Sequence, residues 1–562
     1  SMASIAGTSP ARGSIKLPRP FLWDMSILGV ALLMAVPVLV IASFVLQPVN
    51  DNWHHLAENL LADYVTNSLL LLIGVTVGVL SIGVTTAWLT SMCEFPGRKL
   101  FTWTLLLPLA IPAYIIAYTY TGMLDFEGPV QSVLRGWFGW GYGDYWFPEV
   151  RSIGGAMLML SLVLYPYVYM LARSAFLEQS ICVLEVSRTL GNSPVTSFFR
   201  VALPLARPAI VTGLSLALME TLADYGTVQY FGVSTFTTGI FRIWFGMGDS
   251  ATAAQLSAML LGFVFVLIVL ERWSRRRARF HHTSNKYSEI RRYRLQGVMK
   301  YLAFTACLLP VLLGFLLPAL QLLTWTFTTA EETISWSFFT LTWHSLMLAA
   351  IAALVAVLLA LVLAYGKRLR STPLIEGSVR AAAMGYAVPG TVIAVGVLIP
   401  FAWLDNTIDG WMRETFGLST GLLLSGTLVA LIFAYTVRFL SVSIQAVESG
   451  LAKIKPSMDD AGRSLGLRPM GVLRKIHLPI MKGTVLTALL LVFVDVLKEL
   501  PATLILRPFN FNTLAVRAYE MAADERLADA GAPALMIVLA GIIPVVLLSR
   551  AISRARAGGE IQ

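Results

Sequence analysis

The sequence predicts an all-α polytopic membrane protein of about 12 transmembrane helices arranged as two related six-helix halves. Composition, the spacing of apolar stretches and an internal repeat carry that prediction. Of the 562 residues, 57% are hydrophobic and 13% charged, against roughly 45–50% and about 25% in soluble domains. Mean hydropathy is +0.72, more apolar surface than a water-soluble fold can bury. The three cysteines, Cys93, Cys182 and Cys307, are odd in number and lack metal-ligand spacing, which excludes a disulfide scaffold.

A spanning helix needs about 20 mostly apolar residues. Twelve stretches qualify, centred near residues 34, 78, 110, 163, 218, 262, 311, 355, 390, 432, 494 and 541. Several are interrupted by Gly or Pro, which membrane helices tolerate when neighbours satisfy the freed backbone. The first stretch, Phe21 to Leu46, is longer than a secretory apolar core and lacks a small-residue cleavage site, so it reads as a retained helix.

The net charge of +10 could suggest nucleic acid, but its placement argues otherwise. Arg272, Arg275, Arg276, Arg277 and Arg279, then Arg291, Arg292 and Arg294, lie between two long apolar blocks. Basic residues collect in this way in cytoplasmic loops beside acidic lipid headgroups. Arg12, Lys16 and Arg19 precede the first span, Arg98 and Lys99 follow the second, Lys367, Arg368 and Arg370 the eighth, and Arg550, Arg554 and Arg556 the twelfth. All fall on one side if both termini are cytoplasmic. The expected layout is a cytoplasmic tail at 1–20, a first repeat at 21–272, a basic linker at 273–297, a second repeat at 298–550 and a tail at 551–562. The aromatic loop from Trp137 to Trp146 reads as an interfacial belt on the opposite face.

The repeat appears on sliding residues 185–249 by 275 positions. Arg188 falls on Arg463, Leu190 on Leu465, Gly191 on Gly466, Pro194 on Pro469, and Leu203-Pro204 on Leu478-Pro479. The register continues through Thr212 and Thr487, Arg242 and Arg517, to Asp249 and Asp524; a shift of 277 brings Pro112 onto Pro389. Six spans per half give both halves one orientation, so a pseudo-twofold axis should run along the membrane normal with a pathway between the halves.

The best-matched segments, 176–206 and 446–482, are polar and too long for simple turns. Each has an acid, a Gly six positions later, and a Leu-Pro twelve and thirteen beyond the Gly. The first reads Glu185-Val186-Ser187, Gly191, Val201, Leu203-Pro204; the second reads Asp460-Ala461-Gly462, Gly466, Ile476, Leu478-Pro479. The pattern predicts a short amphipathic helix ended by Gly, then a second short helix stopped by Pro. This spacing resembles the EAA loop of binding-protein-dependent ABC importer permeases, departing from it at Val186, Ser187, Asp460, Gly462 and Val201. The resemblance implies the type I importer permease fold. It also implies ATPase-coupling roles for Glu185, Arg188, Gly191, Leu203 and Pro204, and for Asp460, Arg463, Gly466, Leu478 and Pro479. No phosphate-binding Gly-x-x-x-x-Gly-Lys-Ser/Thr occurs, and the six histidines form no His-Glu-x-x-His. The chain is therefore expected to be a transport subunit, not an enzyme, with no cofactor of its own. ATP and Mg would belong to a partner ATPase.

Beyond each loop an apolar helix carries carboxylates. Glu220 and Asp224 lie four apart on one face, and a shift of 275 places them on Asp495 and Glu499. At about 1.5 Å per residue from Arg207, Glu220 lies about 20 Å and Asp224 about 25 Å into the bilayer. Buried acids are costly there and usually face a cavity or a partner. Four carboxylates about the axis would suit a hard, highly charged cation as transient oxygen ligands, or an organic ammonium. The bland alternative pairs Asp495 with Lys498 and Glu499 with Arg507, or has the acids protonated or clamping neighbouring helices.

The stretches Glu220-Thr-Leu-Ala-Asp-Tyr-Gly-Thr-Val-Gln-Tyr-Phe-Gly-Val and Lys498-Glu-Leu-Pro-Ala-Thr-Leu-Ile-Leu-Arg-Pro-Phe resemble fused ferric-iron permeases. That resemblance, over nearly the whole chain, implies Fe(III) as substrate, a periplasmic binding protein that delivers it, two ABC ATPase subunits beneath, and residence in a bacterial inner membrane. Asp249, Asp524 and Glu525, in outward loops, are expected to meet the binding protein. Fused thiamine permeases share the layout. A proton-coupled secondary transporter also has twelve spans, but gives no reason for duplicated coupling loops. A membrane redox enzyme would need a haem or cluster pattern that the sequence lacks.

Overall fold

The computed structural model describes residues 21–179, 181–276 and 292–557. The expected tail at 1–20, much of the basic linker and the last residues of the chain lie outside them, as does the side chain of Cys182. Eleven helices in the described residues are long and apolar enough to cross a membrane. The first half contributes Trp23–Leu46, Leu61–Met92, Ile153–Glu178, Pro194–Ala223 and Ser250–Arg276. The second contributes Val298–Thr333, Trp336–Leu369, Gly390–Phe416, Leu428–Ala452, Pro469–Lys498 and Ala528–Arg550. A twelfth is formed only if the pair Arg98–Ala110 and Ala113–Phe138, bent by 92°, counts as one broken span.

This corrects the expectation of spans centred near 110 and 390. Both positions are breaks, for one reason. Pro112 and Pro389 lack a backbone N–H and push the preceding residue out of helical geometry. Ile111 is extended (φ −102°, ψ 118°), and Pro112 and Pro389 have ψ of 148° and 143°. The span expected around 390 instead starts there and runs Gly390–Phe416.

Close packing between spans rests on small residues, as it must where lipid supplies no hydrophobic drive between helices. Leu61–Met92 lies against Ile153–Glu178, and a Cβ at Gly78 would stand 2.1 Å from the Ser161 Oγ. The equivalent pair, Trp336–Leu369 and Leu428–Ala452, meets through buried Ala349, Ala352, Ala353, Ala356 and Ala360. The first helix of each half crosses to the other. Phe21–Ser43 packs on Pro373–Ala383 and Gly390–Phe416, while Val298–Val311 packs on Leu61–Met92 and Arg98–Thr104. A two-residue parallel bridge, Cys93–Glu94 with Tyr293–Arg294, fastens the entry of the second half to the first.

Candidate functional site

The repeat read from the sequence reappears element by element. Ile181–Thr189 matches Pro456–Ser464, Pro194–Ser197 matches Pro469–Val472, Leu203–Ala223 matches Leu478–Lys498, and Gly226–Phe231 matches Pro501–Leu506. Every bound is displaced by the same 275 positions. Gly191 and Gly466 take φ of 81° and 85°, a left-handed conformation costly to any residue with a Cβ. In both loops the amide of this Gly donates to the carbonyl three residues back (Arg188, Arg463), and the next amide donates to the carbonyl five back (Ser187, Gly462). Each short helix thus ends in the same Schellman cap.

One expected feature differs. Leu203-Pro204 and Leu478-Pro479 do not stop a helix. The chain stays helical through them, with wide π turns at Phe198–Ala202 and Leu473–His477 just before. The wider turn accommodates a ring that can neither donate nor fit a regular α-turn. Each proline therefore sits within a longer helical run, Pro194–Ala223 or Pro469–Lys498, with the wider turn before it absorbing the missing donor.

The two loops present matching exposed apolar residues. Leu190 and Leu465 are 76% and 85% exposed, and Val195 and Met470 are 63% and 57% exposed. Glu185 and Asp460 are exposed beside them, and Arg463 pairs with Asp460 at 3.3 Å. The inner faces are built differently. In the first half Ser187 bonds Ser197 (2.5 Å) and Asn192 (3.0 Å), and the Arg188 guanidinium sits 3.9 Å over the Tyr293 ring. In the second, buried Asp459 accepts from Arg368 (2.8 Å) and meets the buried His477 ring at 2.6 Å. Arg368 also donates to the carbonyls of Leu451 and Ile454. The Asp459 carboxyl lies below its ordinary range: burial would raise it, but the bonds and charges of Arg368 and His477 outweigh burial.

All four membrane carboxylates line one cavity of about 190 Å³ between the halves, together with Tyr114, Tyr167, Tyr386, Arg438 and Lys498. Their roles divide. Glu499 accepts from the amides of Ala502 (2.8 Å) and Thr503 (3.0 Å) and from the Thr503 hydroxyl (2.6 Å). Asp224 accepts from the Val228 amide at 3.1 Å. Both therefore cap the short helices that follow, from one position before the N-cap residues Tyr225 and Leu500, by accepting first-turn amides. Among the described residues, none hydrogen-bonds Glu220 or Asp495, and no group of three or more His, Cys, Asp or Glu is placed to hold a metal ion. The cavity offers facing carboxylates, not a closed coordination shell.

The expected neutralising partners fare differently. Lys498 donates to the Leu109 carbonyl at 3.0 Å without a direct ion pair to Asp495, though it stays within electrostatic range of it. Arg507 pairs with Glu520 at 3.3 Å instead of Glu499. Lys498 and Arg438 both lie within electrostatic range of Asp495, and Arg438 within range of Glu499; the Arg438 guanidinium donates to the Val388 carbonyl. The sequence carried a signal for it, a lone Arg inside the apolar run Leu428–Ala452, and it was missed.

The outer loops are partly committed. Asp249 accepts from Asn50 (2.8 Å), Asn52 (2.9 Å) and the Thr252 hydroxyl (2.5 Å). Burial would raise its carboxyl, yet these bonds hold it down at about 2. Glu525 is gripped by Arg151 at 3.0 and 2.9 Å, across the halves, while Asp524 stays exposed.

A membrane-embedded, internally duplicated helical body whose two matching loops end in the same cap is the permease component of an ATP-driven importer. Residues 6–280, just under half of the chain, match the binding-protein-dependent transport system inner membrane component family. The chain is a transport subunit of an inner-membrane system, not an enzyme. It is 27% identical over 496 residues to the Fe(3+)-transport system permease protein FbpB 2 of Haemophilus influenzae, covering 87% of this chain and 90% of that one. The ferric transport system permease protein FbpB of Actinobacillus pleuropneumoniae is 26% identical over 528 residues, 88% of this chain and 71% of that one. The molybdenum transport system permease protein ModB of Escherichia coli is 26% identical over 206 residues, 36% of this chain but 87% of its own length.

Proposed function

We propose that this permease carries ferric iron inward along the cavity between its halves, with iron delivered by a periplasmic binding protein. The observation that carries the reading is the pair Glu220 and Asp495, one from each half, free of hydrogen bonds among the described residues and facing one cavity in a chain similar along most of its length to ferric permeases. Carboxylate oxygens suit a hard cation. Two without committed hydrogen bonds can take up a cargo and release it, as a route requires, while Asp224 and Glu499 hold the walls.

Two ATPase copies dock at 181–204 and 456–479, where Leu190 with Val195 and Leu465 with Met470 supply paired apolar anchors beside Glu185 and Asp460. ATP and Mg act on those subunits. ATP-driven approach of the two loops rocks the halves, and the cavity opens to each side in turn. Both termini lie on the cytoplasmic side, with the broken pair at 98–138 counted as one span. Asp524 is the outer acid free to meet the binding protein; Asp249 serves the loop's own structure. A second reading, an oxyanion cargo, is favoured by Arg438 and Lys498 in the same cavity and by the likeness to molybdenum permeases.

The test is radiolabelled uptake by cells expressing the chain with its ATPase and binding protein. Ferric uptake by the wild type, lost in Glu220→Ala/Asp495→Ala at unchanged membrane level, is the expected result. Uptake of molybdate in place of iron overturns the cargo. Uptake of iron by both proteins removes the carboxylates from the route.

A further inference from the structure

Lys498 is the one lysine lining the cavity among the described residues, and the repeat places Ala223 at the equivalent point of the first half. It ends the helix Leu478–Lys498 and meets the first half twice. Its ammonium donates to the Leu109 carbonyl at 3.0 Å, and its own carbonyl accepts from the Tyr114 hydroxyl at 2.7 Å. Leu109 and Tyr114 flank the break at Pro112, where a carbonyl loses its helical partner and must be satisfied from elsewhere. Asp495, one turn back on the same helix, and Glu220, across the cavity, lie within electrostatic range of the ammonium.

We propose that Lys498 is a positioning residue that latches the two halves across the cavity and doubles as a tethered counter-ion for its carboxylates. In the state described here the ammonium is held on Leu109, and Glu220 and Asp495 are left open to cargo. When the halves part, Leu109 moves out of reach. The ammonium, which cannot stay unpaired in the membrane, then swings onto Asp495. Cargo arriving on the carboxylates repels it back toward Leu109, so filling the cavity favours the latched state. Because the first half has Ala223 here, the latch is one-sided. The inference rests on the cavity being the route, but its first readout needs no cargo, so the two readings can fail separately.

The experiment measures ATP hydrolysis by the reconstituted permease–ATPase complex, with and without loaded binding protein. Lys498→Met removes the latch, and binding-protein-independent hydrolysis should rise by about tenfold, equivalent to about 1.4 kcal/mol, while stimulation by loaded binding protein falls. Lys498→Arg keeps a donor of the same charge and should restore both rates. A merely structural role predicts instead that both rates fall together. Tyr114→Phe deletes the second cross-half bond without stranding a charge, and should raise the basal rate in the same direction. That variant decides the matter if Lys498→Met does not reach the membrane. A basal rate unchanged or lowered in whichever variant inserts normally overturns the latch.

Discussion

Four carboxylates spaced alike in two repeats look equivalent at the level of single residues, yet hydrogen bonding separates them. The i,i+4 spacing and the 275-residue shift were visible in the sequence, so the acids could be expected together between the halves, where they line one cavity. What separates them is where each helix ends. The apolar run continues past Ala223 and Lys498, and only Pro501, a residue suited to a first helical turn, hinted at a new start. The cap assigned to Asp224 makes a prediction. Asparagine caps as well as aspartate, so Asp224→Asn should keep wild-type thermal stability in detergent and keep uptake. Asp224→Ala should lose about 1 kcal/mol of stability, seen as a lower unfolding temperature. Equal loss of uptake in both variants, with stability intact, would return Asp224 to the route.

Among elements, the two repeated loops were the most legible part, because a helix, a left-handed Gly and a Leu-Pro leave marks at fixed spacing. The marks did not reveal how each loop is held. Leu184 and Ala202 in the first half stand where Asp459 and His477 stand in the second, and the partner that makes the difference, Arg368, comes from another helix. Such long-range pairing has no local pattern. Replacing Leu190 and Leu465 together by Glu puts two charges into what should be the desolvated centre of the ATPase contact. Hot-spot losses of about 2 kcal/mol or more should then weaken co-purification of the ATPase by at least about tenfold, with the permease itself stable. The anchor beneath the second loop also has a definite pH sign. A carboxyl depressed in the folded state stabilises fully above its unfolded value of about 3.9 and loses that contribution as pH falls through the lower folded value. The Asp459 contribution to ATPase retention should therefore hold down to about pH 4 and be lost only below it. Asp459→Ala, which strands Arg368 and His477, should weaken retention at neutral pH as well.

For the whole molecule, the repeat predicted two halves about one axis, but not that each gives its first helix to the other. Hydropathy marks a span without saying which neighbours it touches. The contact surfaces explain the exchange. A Cβ at Gly366 would lie 2.1 Å from Ile27 and 2.4 Å from Trp23, and one at Gly396 would lie 2.5 Å from the Pro37 carbonyl. The helix from Trp23 is thus seated in grooves of the second half shaped by absent side chains. Stability then depends on packing between the halves more than on the covalent link between Arg276 and Arg292. Cutting the chain in that interval and expressing both pieces together should still yield an assembled permease, recoverable through a tag on either piece. Linkage only raises the effective concentration of partners that already fit. Gly396→Leu in the split protein should abolish that recovery, because backbone, not a movable side chain, occupies the space. In the intact chain the same substitution should lower stability while leaving the halves joined. Recovery of the split pieces despite Gly396→Leu would mean that the exchanged helix is not what holds the halves together.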